Sequence, residues 1–252
     1  MGSRRVKLGW LGLIALLASA SPAAAQRPAS PPTAMETDSG SGWRVVLDEL
    51  SPAERERVRL VLDRPTLMTR GPSETFICLP EQYHWLLDHP DQTARLWTCL
   101  GVKCAQIVDR GGYFTWDDGK GSGLHWREVY HGSDRRVWFA EGKVNPGFLL
   151  PTASLRAVVV VYHTEATDGL GRPTIRHRVE MALHTDSHAL AAAAKLIGAS
   201  APHLAEQYVG QIQMFYGALA WYLNQHPRHA AVLLEQLRQP ASTDKKLKLP
   251  ME

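Results

Sequence analysis

The stretch Leu155–His184, LRAVVVVYHTEATDGLGRPTIRHRVEMALH, decides the fold. In its second half Ile175, His177, Val179, Met181 and Leu183 alternate with Thr174, Arg176, Arg178 and Glu180. Successive strand side chains point to opposite faces, so this pattern describes a half-buried strand with one face in the core. The first half, Arg156–Glu165, is apolar at nearly every position. Between the two, Asp168–Pro173 supplies the turn, and the pair reads as an antiparallel hairpin. A loop centred near Leu170 sets Val161 near Val179 and His163 near His177, and a slip of one residue would expose the apolar row.

Upstream, turn residues recur at short intervals: Gly111-Gly112, Asp118–Gly123, Gly132–Asp134 and Asn145–Pro151. The segments they separate, Lys103–Asp109, Tyr113–Asp117, Leu124–His131 and Arg135–Gly142, continue the antiparallel meander. Further back, Glu74–Leu79 is a short strand stopped by Pro80. A short helix bearing Tyr83, Leu86 and Leu87 then ends at His89-Pro90. A second helix follows, capped by Asp91, carrying Ala94, Trp97 and Leu100, and closed by Gly101. Before all of these, Ser51-Pro52-Ala53-Glu54 is a capping box opening a helix striped by Val58, Val61 and Leu62.

Downstream of the hairpin the chain is helical. Thr185–Ser187 caps an alanine-rich segment running to Ile197, and Ser200-Ala201-Pro202 starts a longer helix. Leu204, Tyr208, Ile212, Phe215, Leu219 and Tyr222 form one broad stripe on it. Gly210, Met214, Gly217 and Trp221 lie opposite, and the two glycines permit close approach of a second element.

The ends of the chain point to export. Residues 1–25 carry Arg4, Arg5 and Lys7, an apolar run from Leu8 to Ala18, and the small-residue site Ala23-Ala24-Ala25. That is the layout of a cleavable signal peptide. The apolar run, about 11 residues, is well short of the ~20 that a membrane-spanning helix needs, so no transmembrane segment is expected after cleavage. The chain has 28 basic and 25 acidic residues, and loss of the leader leaves it formally neutral. A neutral surface offers no long-range attraction for nucleic acid. Residues 26–42, QRPASPPTAMETDSGSG, lack a hydrophobic pattern and read as a disordered spacer. The expected organisation is then a helical extension over 43–73, one main domain over 74–225, and a short helix with a basic tail over 226–252. The expected location is periplasmic or extracellular.

Cys78, Cys99 and Cys104 are an odd set, and an oxidising compartment opens a Cys99–Cys104 bridge, the alternative being small buried hydrophobes. No paired C-x-x-C, H-E-x-x-H, G-x-S-x-G or glycine-rich phosphate loop stands in a fitting context, so neither metal nor cofactor is called for.

Strand, two short helices, six strands and a long carboxy-terminal helix make an order that resembles the START, polyketide-cyclase and pollen-allergen superfamily. The residues carrying it are Glu74–Leu79, the helix pair around Trp85 and Trp97, Gly111-Gly112, the Asp168–Pro173 hairpin and the helix Pro202–Asn224. The resemblance is one of topology and spans 74–225. It implies an α+β, helix-grip fold, a seven-stranded antiparallel curved sheet wrapped around the last helix, and the N-terminal helix after Ser51 is an addition that departs from that pattern. It also implies an apolar cavity for a lipid or other hydrophobic small molecule. That cavity would lie between Val159, Val161, Val179 and Met181 on the sheet and Tyr208, Ile212, Phe215 and Leu219 on the helix, with Trp126 and Trp138 along its wall. A filled core uses the same residues.

His163 and His177 share the inward face, with Glu165 at the same parity. A histidine pair beside a carboxylate suits acid–base work, and the alternative is two histidines hydrogen-bonded at the end of the sheet. Three functions follow: an exported carrier of a hydrophobic ligand, a cyclase- or hydrolase-like enzyme using the histidines, and a structural or interaction protein with a filled core that binds a partner through its Gly210/Gly217 face. The first is the leading expectation.

Overall fold

The computed structural model describes residues 43, 47–102, 104–145, 152–188, 192 and 200–238. The expected leader and spacer, the Gly198 break and the basic tail lie outside these residues. Helix α1 (Pro52–Asp63) opens at Ser51, whose hydroxyl accepts from the Glu54 amide, with Pro52 in the first turn. Strands β1 (Leu67–Arg70) and β2 (Glu74–Ile77) follow, then helices α2 (Pro80–Asp88) and α3 (Pro90–Cys99). The meander is β3 (Ile107–Asp109), β4 (Phe114–Asp117), β5 (Gly123–His131), β6 (Arg135–Val144), β7 (Ala153–Thr167) and β8 (Pro173–His184). Helices α4 (Ser200–Gln225) and α5 (Pro227–Arg238) complete the described chain. The start of α3 departs from expectation: His89 is its cap residue, without a side-chain capping bond, and Asp91 sits inside the first turn.

All strands form one antiparallel sheet in the order β1-β8-β7-β6-β5-β4-β3, with β2 also on β8. The sheet has eight strands, where seven were expected. The additional one is β1, which shares the β8 edge with β2: Leu67–Arg70 pair with Leu183–Glu180 and Glu74–Ile77 with His177–Thr174. Gly71 and Pro72 separate the two halves of this edge, since proline has no amide to donate to a ladder. The β7–β8 register places Val161 opposite Val179 and His163 opposite His177, as the hairpin pattern predicts.

The period of two divides the long strands between two environments. On the outer face Val137, Phe139, Val158, Val160 and Ala182 pack beneath Val58 and Val61 of α1, with Trp43 and Leu50. Full burial of each such side chain contributes about 1.5–3 kcal/mol, so α1 is an integral layer rather than an appendage. The inner face receives α2 and α4. A separate helical cluster, Leu86, Leu96, Leu219, Leu223, Ala230, Leu233 and Leu237, ties α2, α3, α4 and α5 together.

Helix α4 crosses the split edge with its glycine face. A methyl group built on Gly217 would lie 3.3 Å from Phe76 Cδ1, and one on Gly210 would lie 3.6 Å from Pro72 Cδ. This approach fixes the rotation of the helix. Val209 and Gln213 turn to β8, and Gln213 also donates to the Pro72 carbonyl at 2.6 Å. Cys99 and Cys104 are both free, so of the two readings left open the bridge is not formed. The Cys99 side chain goes into the helical cluster, and burial raises the pKa of both thiols.

Candidate functional site

The inner ends of β7 and β8 carry His163 and His177, each only 2% exposed. Helix α2 begins immediately after β2, and this short connection lays its first turn over the histidines. Tyr83 descends between them, its ring centroid 5.6 Å from His163 and 5.9 Å from His177. Its hydroxyl is 3.4 Å from His177 Nδ1, and Phe76 packs edge-on against the same imidazole at 4.9 Å. Burial pushes the His177 pKa down to about 4, with His163 adding repulsion. Burial, then His84 and Arg136, likewise lowers that of His163. Both imidazoles are therefore neutral near pH 7. Burial also keeps the Tyr83 phenol protonated. Both ring nitrogens of His163, and Nε2 of His177, are buried without a hydrogen-bond partner among the described residues.

A second tier of charge lies beside them. Arg136 on β6, 1% exposed, sits at the same parity as Trp138 and so points inward. Its guanidinium pairs with Asp88, approaches Glu128 Oε2 at 3.5 Å, and donates to His84 Nδ1 at 3.2 Å. His84 and Asp88 stand one helical turn apart on α2, which brings both to one arginine. A guanidinium can only donate, so His84 accepts at Nδ1 and directs its Nε2 proton to Glu165, 2.9 Å away. The chain Glu165–His84–Arg136–Asp88 thus pins α2 to the sheet. Asp88, Glu128 and His131 could between them offer three metal-ligand atoms. Arg136 already occupies the space between the two carboxylates with a positive charge, which disfavours a cation there.

The apolar wall adjoins the histidines. Val161 and Val179 are buried with Val209, and Trp138, Val159 and Met181 pack against them half-buried. Five of the expected sheet residues are brought together in this way, while the expected helix residues are not. Phe215 meets Trp97 of α3 edge-on at 4.9 Å, and Leu219 is buried in the helical cluster. Ile212 is half-buried, and the Tyr208 side chain lies outside the described residues. Trp126 stacks on Phe114 and borders a cleft of about 420 Å³ shared with Arg57, Tyr113, His125 and Phe139, rather than joining the valine cluster.

Sequence reasoning found His163, His177 and Glu165 but passed over Tyr83, His84, Asp88, Arg136 and Gln213. Parity with Trp138 was a usable signal for Arg136, and the four-residue spacing of His84 and Asp88 for the α2 pair. Tyr83 read only as one of three apolar side chains.

Fold and site together define an α+β domain in which an antiparallel sheet, helices on both faces, encloses a neutral histidine–tyrosine cluster beside an apolar wall. No protein-family model matches the chain, and no curated protein does. Among solved structures, a conserved protein from Geobacillus kaustophilus aligns with a TM-score of 0.39 and 14% identity, over 60% of this chain and 95% of that one. An uncharacterized protein from Rhizobium leguminosarum aligns with a TM-score of 0.34 and 11% identity, over 60% of this chain and 97% of that one.

Proposed function

We propose that this is a helix-grip domain of the START type that binds one small amphiphilic molecule. Its polar end meets Tyr83, His163 and His177, and its apolar part lies along Trp138, Val159, Val161, Val179 and Met181. The carrying observation is the set of three buried, unpartnered ring nitrogens on His163 and His177. A buried polar atom left unpaired costs about 1–3 kcal/mol, a cost that a ligand or an ordered water removes. Small-molecule sites have this makeup, a mostly apolar lining with a few convergent polar groups. The element order supports the family reading, and the leader pattern of residues 1–25 supports binding outside the cytoplasm.

Native mass spectrometry of the protein recovered from a bacterial periplasm, with solvent extraction of whatever is bound, tests this. A co-purifying small molecule at near-unit stoichiometry is expected. A bare protein mass that does not shift on addition of a lipid extract would sink the proposal.

A further inference from the structure

The hydrogen-bonding inventory of the cluster narrows the chemistry of the ligand, on the premise that the proposed binding site is correct. His177 is neutral, so one of its ring nitrogens carries a proton and the other a lone pair. The Tyr83 hydroxyl is protonated and lies against Nδ1, so with the phenol donating there the imidazole proton sits on Nε2. That N–H is buried and unpartnered. Neutral His163 offers one N–H and one lone pair, both unpartnered, and the Arg136 Nε–H is unpartnered as well. Among the described residues of the cluster, three orphaned donors therefore stand against one orphaned acceptor, and the deficit is of acceptors.

Charge then separates the kinds of acceptor. Arg136 is the cation of the cluster, and Asp88 and Glu128 already flank it. Glu165 stands behind His84. Both inward histidines are uncharged. A carboxylate or phosphate entering here would lose its hydration beside three carboxylates with no free cation among the described residues of the cluster to meet it, whereas an uncharged oxygen would not.

We propose that the ligand group held by His163 and His177 is an uncharged carbonyl oxygen, as in a ketone, ester or quinone, rather than an acid headgroup. Two N–H donors to one oxygen should give at least about a tenfold gain over the matching hydrocarbon, or about 1.4 kcal/mol.

The test uses the full-length chain produced with its own leader and three probes of equal chain length: dodecan-2-one, dodecanoate at pH 7.5, and dodecane. Affinities come from native mass spectrometry and calorimetry, and the carbonyl stretch of carbon-13-labelled bound ketone from infrared difference spectra. The ketone is expected to bind about tenfold tighter than dodecane and tighter than dodecanoate. Its stretch should fall below the value in hydrocarbon solvent, and His177→Phe should return it toward that value. Dodecanoate binding tightest, or a bound ketone with a hydrocarbon-like stretch, would overturn the carbonyl assignment and leave small-molecule binding intact. Failure of all three probes to bind would overturn the binding site itself, and the assignment with it. Should His177→Phe not fold, His163→Leu serves as the second variant with the same spectral readout.

Discussion

His163 and His177 face each other directly across the β7–β8 ladder, sealed from solvent, with three of their four ring nitrogens unpaired among the described residues. A protein that keeps two such groups in its interior carries a stability cost unless something fills the site. Their placement follows from strand parity, and their neutrality from burial.

Removing one of them should separate stability from binding. His163→Leu deletes two unpaired polar atoms and keeps an apolar side chain of similar bulk. We expect the ligand-free protein to gain on the order of 1 kcal/mol in chemical denaturation while its capture of ligand falls. A loss of stability instead would show that His163 is satisfied in the folded protein.

The histidines also set a pH dependence. The folded-state pKa of His177 lies near 4, below its ordinary 6.5, so the unfolded chain binds the extra proton between these values. The contribution is complete above about pH 6.5 and lost as pH falls through the window, to a total of about 3 kcal/mol at pH 4. His163 shifts in the same direction. In denaturant melts across this range, His177→Gln should show a shallower fall than the parent. Parallel profiles would contradict the assignment.

The buried arginine predicts an asymmetry. Asp88 is 41% and Glu128 26% exposed in their side chains, so both can return to water when Arg136 is replaced, whereas Arg136 at 1% cannot when they are. The double change Asp88→Asn with Glu128→Gln should therefore cost about 3–5 kcal/mol, and Arg136→Met about 1–2 kcal/mol. Calorimetric melting of the two variants gives the comparison, and the reverse order would contradict it.

The glycines at the split edge should behave differently from one another. A methyl group on Gly71 would fall 1.8 Å from Gln213 Oε1 and 2.7 Å from Val209 Cγ1, and Gln213 is already held by the Pro72 carbonyl. Gly71→Ala should destabilise by about 1–3 kcal/mol as α4 is pushed from β8. At Gly210 the space is ordinary, so Gly210→Ala should stabilise by about 0.5–1 kcal/mol through helix propensity. Equal effects at the two positions would refute this account of the helix seat.

The β7–β8 hairpin was legible because alternation, turn residues and strand length all specify one register. The Ser51 cap and the helix start at Ser200 were legible for similar local reasons, whereas the Glu54 carboxylate, expected to close the capping box, pairs with Arg127 instead. Strand β1 was hidden, since Leu67–Arg70 is four residues between two prolines and draws its order from pairing with β8. Rotation of α4 was hidden too. Hydrophobic periodicity favoured the stripe through Phe215 and Leu219, but the close approach of Gly217 to Phe76 turned Val209 and the polar Gln213 to the sheet instead. The site was half visible: parity exposed the histidine pair, whereas Tyr83, His84 and Arg136 meet only once α2 folds back across β6 to β8.

The most direct test of the binding site is a long-range proton–nitrogen correlation spectrum of the histidine rings, recorded with and without the compound that co-purifies. The account predicts that the His163 and His177 nitrogens, neutral in both spectra, shift on binding while those of the exposed His226 do not. Unchanged His163 and His177 signals beside a bound ligand would place that ligand elsewhere and contradict the account.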